Sequence, residues 1–253
     1  MRDRVELSDP RKILIWDLDG TIVDTGRDIA SGVAGLFRER GLPPPSREAV
    51  IRCVGRGVKV LVMRCFEEAG HPLHGEAEIT DAVRLFREHY ARHLMDTTVP
   101  YPGLPEILRA CKGRGQKMGV VSNKPEDFSQ DILRTLGLFE CFSVVLGGDS
   151  LASRKPSPEP LLHVLHHCDQ TAAPSDAIVI GDSVTDVEAA RAAGMPVCGV
   201  AWGFDPENQL EAATLDWWIA TPQELRAALL GGYAVCGRVQ THPVLATRPQ
   251  CRG

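Results

Sequence analysis

The sequence predicts an α/β protein with a doubly wound parallel sheet and one helical insert. Short runs rich in Val, Ile and Leu alternate with amphipathic helical patterns over most of the 253 residues. These runs are nearly all apolar, as is typical of strands that are covered on both faces. One long segment, residues 23–96, shows helical periodicity only. These three observations carry the fold prediction.

Six runs are strand candidates, and helical patterns lie between several of them. The strand candidates are ILIW (13–16), KMGVVS (117–122), SVVLGG (143–148), AIVIG (177–181), VCGVAW (197–202) and DWWIA (216–220). Helices are predicted at 105–112, 126–136 and 186–194, and the last two end at Gly137 and Gly194. Strand–helix alternation of this kind favours a parallel sheet with helices on both faces.

The insert is predicted to be a small helical domain between the first two strands. Apolar residues recur there at helical spacing in three stretches, which GLPPPS (41–46) and GHPLHG (70–75) separate. The core domain would then comprise residues 1–22 and 97–236, with hinges at the two connections. Residues 237–253 show no periodicity and are expected to form a disordered tail.

Composition narrows the possible partners and the compartment. A net charge of −5 without a long Lys/Arg run argues against a nucleic-acid partner. The N-terminus has no apolar signal region, and no apolar run approaches the length of a membrane span. The eight cysteines form no C-x-x-C pair, which favours free thiols in a reducing cytoplasm. A monomer and a homodimer both remain open.

Polar residues stand where several predicted strands end. They are Asp17 and Asp19 after the first strand, Ser122 and Asn123 after the second, Lys155 in the loop RKPSP, and Asp182 and Asp186 around the fourth. Ligands of open parallel sheets bind beyond the carboxyl ends of the strands. We therefore expect these side chains to converge at one edge of the sheet.

Their chemistry matches metal-assisted phosphoryl transfer. Clustered aspartates repel one another, and buried carboxylates need a partner, so a cation is expected among them. Mg²⁺ prefers oxygen ligands and shares them with a substrate phosphate. One carboxylate can act as the nucleophile and a second as general acid and base. Singly, each motif also suits a turn or a helix cap; their joint occurrence favours a site.

Four segments resemble the signature motifs of the haloacid dehalogenase-like hydrolases. They are DLDGTIVDT, VVSNK, RKPSPEP and GDSVTD, and the resemblance extends over about residues 12–230. It implies a Rossmann-like core, with residues 23–96 as a small α-helical cap that closes over the substrate. The resemblance implies that Asp17 is the nucleophile and Asp19 the general acid and base. It implies that phosphate is bound by Ser122, Asn123 and Lys155, and that Mg²⁺ is held by Asp17, the Asp19 carbonyl and Asp182. Asp186 would hold the waters of the metal or Lys155.

Within that family, several sequence segments are similar to those of the phosphoglycolate phosphatases. VGRGVKVLV, PYPGLPEIL, FSVVLGGD and KPSPEPLL carry the likeness, which implies 2-phosphoglycolate as substrate. Arg56, between Gly55 and Gly57, is the candidate for binding its carboxylate, since guanidinium pairs bidentately with carboxylates. A solvent-exposed loop arginine is the alternative. Lys59 is a second candidate contact, with a solvated helix lysine as its alternative.

Other functions remain open at this stage. A sugar phosphate or nucleotide is an alternative substrate, since AWGF (201–204) departs from the usual Tyr-containing loop near the substrate entrance. A β-phosphoglucomutase-like transfer would use the same aspartates. A dehalogenase would leave Asp19 and Asp182 without a task. A non-catalytic phosphate-binding protein is disfavoured because both Asp17 and Asp19 are present.

Overall fold

The computed structural model describes residues 7–204, 210 and 213–231. Its strands are β1 (Ile13–Trp16), β2 (Val23–Asp24), β3 (Val99–Pro100), β4 (Met118–Val121), β5 (Val144–Leu146), β6 (Ala177–Gly181), β7 (Val197–Val200) and β8 (Trp217–Ile219). Six of these form a parallel sheet in the order β5-β4-β1-β6-β7-β8, and β2 pairs with β3 in an antiparallel ribbon. Each predicted strand run contains one of the six, so the fold class is confirmed.

Helices cover both faces of the sheet. They are α5 (Leu104–Gly113), α6 (Glu126–Thr135), α7 (Glu159–Cys168), α8 (Val184–Ala193) and α9 (Pro222–Leu230). Leu14 and Trp16 of β1 pack in one hydrophobic cluster with α5, α6 and α9. Ile13 and Ile15 pack in a second cluster with α7 and α8. Since alternate β1 residues enter opposite layers, the strand is apolar at every position.

Four helices lie between β2 and β3. They are α1 (Gly26–Glu39), α2 (Arg47–Arg52), α3 (Val58–Glu68) and α4 (Glu76–Arg92). They enclose a third hydrophobic cluster, in which the ring centroids of Phe37 and Phe66 lie 4.4 Å apart. Phe128 from α6 joins this cluster, so the helical insert packs against the sheet layer. The division of the chain into a core domain and a helical domain, with boundaries at residues 22/23 and 96/97, stays a prediction.

A buried carboxylate connects the start of α1 to the chain just before β3. Asp28, 1% exposed, accepts five hydrogen bonds from the backbone N–H and hydroxyl groups of Thr97 and Thr98. Burial acts to raise the pKa of Asp28, but these hydrogen bonds outweigh it and lower the pKa. The two connections of the insert are thus held together by one ionised side chain.

Two further expectations can be compared with the structure. In the part of the chain that it covers, no helix is long and apolar enough to cross a membrane. The six cysteines found there are free thiols, at positions 53, 65, 111, 141, 168 and 198. The predicted tail, residues 237–253, lies outside the described residues.

Candidate active site

The predicted site residues from the core converge on one cleft. β1 lies between β4 and β6, so the residues after these three parallel strands are neighbours. Asp17 follows β1, Ser122 follows β4 and Asp182 follows β6. Lys155 enters from the loop between β5 and α7. All four residues line one cleft.

Lys155 connects two of the carboxylates. Its ammonium nitrogen lies 2.6 Å from Oδ1 of Asp17 and 2.6 Å from Oδ1 of Asp186, and its side chain is 3% exposed. Burial acts to lower the pKa of Lys155, but the charges of Asp17 and Asp186 outweigh it and raise the pKa. The lysine is therefore a fixed positive charge beside Asp17.

The site has an excess of negative charge that fits a bound cation. Carboxylate oxygens of Asp17, Asp182 and Asp186 lie within 4.8 Å of one another, and all three residues are buried. Burial raises the pKa of Asp17 well above its usual value, and the neighbouring carboxylates add to this effect. Burial and Asp186 together raise the pKa of Asp182 to about 7. One lysine does not neutralise three carboxylates, and a hard divalent cation suits their oxygens.

Two glycines allow the chain to pack closely around Asp182. A Cβ at Gly20, whose φ is +89°, would lie 2.1 Å from Oδ2 of Asp182, and one at Gly203 would lie 2.2 Å from it. The same carboxylate accepts hydrogen bonds from the Thr21 hydroxyl at 2.9 Å and the Phe204 N–H at 2.6 Å. Asp182 is thereby held in one orientation.

The Asp19 side chain lies apart from the acidic cluster. Its Oδ1 accepts a hydrogen bond from the Thr25 hydroxyl at 2.6 Å. Lys124 donates to both carboxylate oxygens, at 2.9 and 3.1 Å. Asp19 therefore lines the cleft, and two side chains hold its carboxylate in place. It does not belong to the group of carboxylates formed by Asp17, Asp182 and Asp186.

Asn123 spans the core and the helical insert. Its side-chain N–H₂ donates to the carbonyl of Gly55 at 2.8 Å and to that of Lys155 at 2.9 Å. Its Oδ1 is buried and has no hydrogen-bond partner among the described residues. The side-chain amide hydrogens of Asn123 are therefore engaged within the protein, and its predicted role in phosphate binding stays a prediction.

The two tentative contacts of the insert lie outside the cleft lining. Gly55 and Gly57 line the cleft, whereas Arg56 between them is exposed and does not. Lys59 forms a surface ion pair with Glu76 at 2.8 Å. Their roles in substrate binding stay predictions, and in this conformation their side chains do not contribute to the cleft wall.

Sequence reasoning missed Lys124 as a site residue. Its ammonium group binds Asp19 and lies 4.7 Å from the ring centroid of Tyr90 on α4. The available signal was its place directly after Ser122 and Asn123 in VVSNK. A position after a strand does not by itself show whether a lysine points into the cleft or into solvent.

The parallel sheet, the helical insert after β1 and the acidic cleft at the carboxyl edge define a doubly wound α/β protein with an inserted helical unit and a candidate metal site. Residues 14–200 match the model of the family "Haloacid dehalogenase-like hydrolase", and the chain belongs to that family. This confirms the family that the four motifs indicated.

Relatives and solved structures agree with this assignment. A phosphoglycolate phosphatase from Thiobacillus denitrificans is 36% identical over 87% of this chain and 96% of its own. One from Aquifex aeolicus is 32% identical over 85% and 94%. The crystal structure of a predicted phosphoglycolate phosphatase from Haemophilus somnus superposes with a TM-score of 0.76, at 31% identity over 85% of this chain and 96% of that one.

Proposed function

We propose that this protein is a Mg²⁺-dependent phosphatase that hydrolyses 2-phosphoglycolate through an aspartyl-phosphate on Asp17. The observation that carries the phosphatase assignment is the contact between Lys155 and Asp17 beside a buried acidic cluster. The relatives named phosphoglycolate phosphatase support the substrate. The reaction has two displacements at phosphorus, each with its own proton transfer.

Asp17 is the proposed nucleophile. Lys155 holds its Oδ1, so the second oxygen is the one left to attack phosphorus. A bond forms from this oxygen to phosphorus while the bond from phosphorus to the ester oxygen breaks. Water then attacks phosphorus of the aspartyl-phosphate, and the carboxylate of Asp17 leaves unchanged. The net products are glycolate and inorganic phosphate.

Asp19 is the proposed general acid and base. In the first displacement it donates a proton to the leaving oxygen, and in the second it accepts a proton from the attacking water. The Thr25 hydroxyl and Lys124 hold its carboxylate at the cleft wall, apart from the proposed nucleophile. The two carboxylates therefore have separate partners and separate tasks.

The phosphoryl oxygens need donors where charge builds up during transfer. We assign this task to the Ser122 hydroxyl, the Lys155 ammonium and the backbone N–H of Asn123. Both Ser122 and Lys155 are buried at the cleft. The side chain of Asn123 supports them indirectly, because it holds the carbonyl of Lys155.

Asp17, Asp182 and the carbonyl of Asp19 would hold Mg²⁺, and Asp186 would keep Lys155 in position. When bound, the ion neutralises charge on the phosphoryl group during transfer. The serine hydroxyl and main-chain N–H of Ser183 both donate to Asp186, at 2.5 and 3.2 Å. Asp186 thus orients Lys155 while Ser183 orients Asp186.

We further propose that residues 23–96 form a cap domain over a core of residues 1–22 and 97–236. Apolar side chains of the insert, among them Leu61, Phe86 and Tyr90, line the cleft opposite the aspartates. Closure of this wall would exclude water from the reaction. The proposed partner is a small phosphate ester rather than nucleic acid or a membrane, the location is the cytoplasm, and the protein is a monomer or a homodimer.

Phosphate release from a substrate panel tests this function. The panel contains 2-phosphoglycolate, sugar phosphates, nucleotides and p-nitrophenyl phosphate, each assayed with Mg²⁺ and with EDTA. We expect 2-phosphoglycolate to lead by at least about tenfold in kcat/KM and EDTA to abolish release. If another ester leads, the substrate assignment is wrong while the mechanism stands. No Mg²⁺-dependent release from any ester would contradict both.

A further inference from the structure

The cleft offers few positive charges for a substrate that carries a second anionic group. Among the described residues that line it, Lys124 and Lys155 are the two cations. Lys155 already contacts Asp17 and Asp186 and lies where the phosphoryl group is expected. Arg56, the cation that the sequence suggested, is exposed. Lys124 is therefore the cation left for a carboxylate of the substrate.

Lys124 is buried, and Asp19 takes only part of its hydrogen-bonding capacity. Its side chain is 4% exposed and its ammonium group lies between the core and helix α4. An ammonium has three hydrogens, and Asp19 takes two of them through its two oxygens. The third hydrogen faces Tyr90, whose hydroxyl and ring both interact with the ammonium group. Lys124 lines the cleft, and a carboxylate is a stronger acceptor than a phenol hydroxyl, so a ligand carboxylate can take this third hydrogen.

The position of Lys124 relative to Asp19 suits the length of 2-phosphoglycolate. Its Nζ lies 2.9 Å from Oδ1 of Asp19. If Asp19 reaches the leaving ester oxygen with a hydrogen bond of about 2.7 Å, the ammonium lies within about 5.6 Å of that oxygen. The carboxylate oxygens are three bonds from the ester oxygen, or about 3 Å away. A hydrogen bond of about 2.8 Å between carboxylate and ammonium then spans the remaining distance.

Electrostatics also requires a cation at this place. A carboxylate bound next to the general acid would face the carboxylate of Asp19, and like charges at this distance repel. An ammonium between the two removes the repulsion and binds both. A neutral substrate tail would have no such need.

We propose that Lys124 determines specificity by binding the carboxylate of the substrate, with Asp19 on the other side of the same ammonium group. This inference rests on the proposed function. It assigns to a buried residue of the core the task that Arg56 of the insert was expected to perform. The carboxylate of the substrate is thereby bound next to the ester bond that breaks.

The test compares two esters that differ in the carboxylate. Lys124→Met keeps the length of the side chain and removes the charge. We expect the ratio of kcat/KM for 2-phosphoglycolate to kcat/KM for ethyl phosphate to fall by roughly 10- to 100-fold, mainly through KM, as for a lost hydrogen bond to a charged group. If Lys124 only positions Asp19, both esters lose the same factor and the ratio stays at the wild-type value. An unchanged ratio would overturn the proposal.

Two matched variants serve as controls. Lys117→Met makes the same change at an exposed ion pair with Asp169 and should leave the ratio unchanged. Arg56→Met tests the other candidate for binding the substrate carboxylate, and we expect it to change the ratio less than twofold. A tenfold loss of the ratio in Arg56→Met together with an unchanged ratio in Lys124→Met would assign the carboxylate to Arg56 instead.

Binding of non-hydrolysable analogues provides a second readout that does not depend on turnover. In the presence of Mg²⁺, wild-type protein should bind 3-phosphonopropionate at least about tenfold more tightly than propylphosphonate. In Lys124→Met and in Lys124→Gln the two affinities should become similar. If wild-type protein prefers 2-phosphoglycolate but the variants keep the tenfold preference, the proposed function stands and this inference fails. A wild-type protein without any preference for the carboxylate would overturn both.

Discussion

The ammonium nitrogen of Lys155 lies 2.6 Å from Oδ1 of Asp17, at the bottom of a cleft between the sheet and the helical insert. Both side chains are buried. Burial raises the pKa of Asp17, and the positive charge of Lys155 acts against this rise. The contact therefore links the stability of the site to its proposed chemistry.

Lys155→Met should impair both stability and turnover. The variant leaves Asp17 and Asp186 buried without their cation, and breaking a buried ion pair typically costs about 3–5 kcal/mol. We expect urea unfolding in EDTA to show a loss of this size, partly restored by Mg²⁺, and kcat to fall at least about 100-fold. Lys117→Met, at an exposed pair with Asp169, is the matched control. An unchanged midpoint in EDTA would contradict the role of Lys155.

The acidic cluster predicts a pH-dependent response to Mg²⁺. Burial raises the pKa of Asp182 to about 7, above its value in the unfolded chain. A raised pKa in the folded state adds stability at low pH, and this stability is lost as the pH rises through about 7. Metal-free protein should therefore melt at a lower temperature at pH 8 than at pH 5.5. In Asp182→Asn this decrease should be smaller.

Mg²⁺ at about 100 times its Kd should raise the stability at pH 8 by about 2.7 kcal/mol, or roughly 5–10 °C in Tm. The rise should be smaller at pH 5.5, because protons compete for the same oxygens. Differential scanning fluorimetry of wild type and Asp182→Asn gives both comparisons. An equal Mg²⁺ effect in the two proteins would exclude Asp182 as a ligand.

Asp28→Asn should loosen the connection between the start of α1 and the segment before β3. An amide cannot accept the five hydrogen bonds from Thr97 and Thr98 as a carboxylate does, and we expect a loss of about 2 kcal/mol at pH 7. Because the pKa of Asp28 is lowered on folding, its stabilising effect is present above the unfolded pKa of about 3.9 and is lost as the pH falls below it.

The difference in unfolding free energy between wild type and Asp28→Asn should therefore shrink between pH 5 and pH 3. Chemical unfolding at several pH values measures it. Asp131→Asn, at an exposed pair with Arg134, should show little difference at any pH. A constant difference for Asp28→Asn across this range would show that its charge is not the cause.

Much of the core fold could be predicted from the sequence because the strands lie between two apolar layers and are therefore apolar at nearly every position. ILIW and AIVIG coincide with β1 and β6, and both strands are buried along their whole length. The motifs also located Asp17, Ser122, Lys155 and Asp182, since the order of parallel strands alone brings their carboxyl ends together. The two-residue strands β2 and β3 were not predicted, because such short segments carry no periodicity.

Side-chain directions in loops could not be predicted in this way. The glycines around Arg56 indicated a close backbone approach, yet Gly55 and Gly57 make it while Arg56 points outward. Lys124 turns inward because Asp19 and Tyr90, distant in sequence, both contact it. Such long-range contacts decide which of two neighbouring cations enters the cleft.

The central claim, that Asp17 carries the phosphoryl group and Asp19 controls its hydrolysis, can be tested with Asp19→Asn. Acetyl phosphate has a leaving group that needs no proton, so loss of the general acid leaves phosphoryl transfer to Asp17 possible, whereas loss of the general base blocks hydrolysis. Intact-mass and peptide spectrometry after mixing with Mg²⁺ should show one added phosphoryl group on Asp17. The Asp17→Asn/Asp19→Asn double variant should show none. An equal adduct in the double variant, or hydrolysis by Asp19→Asn at the wild-type rate, would contradict the account.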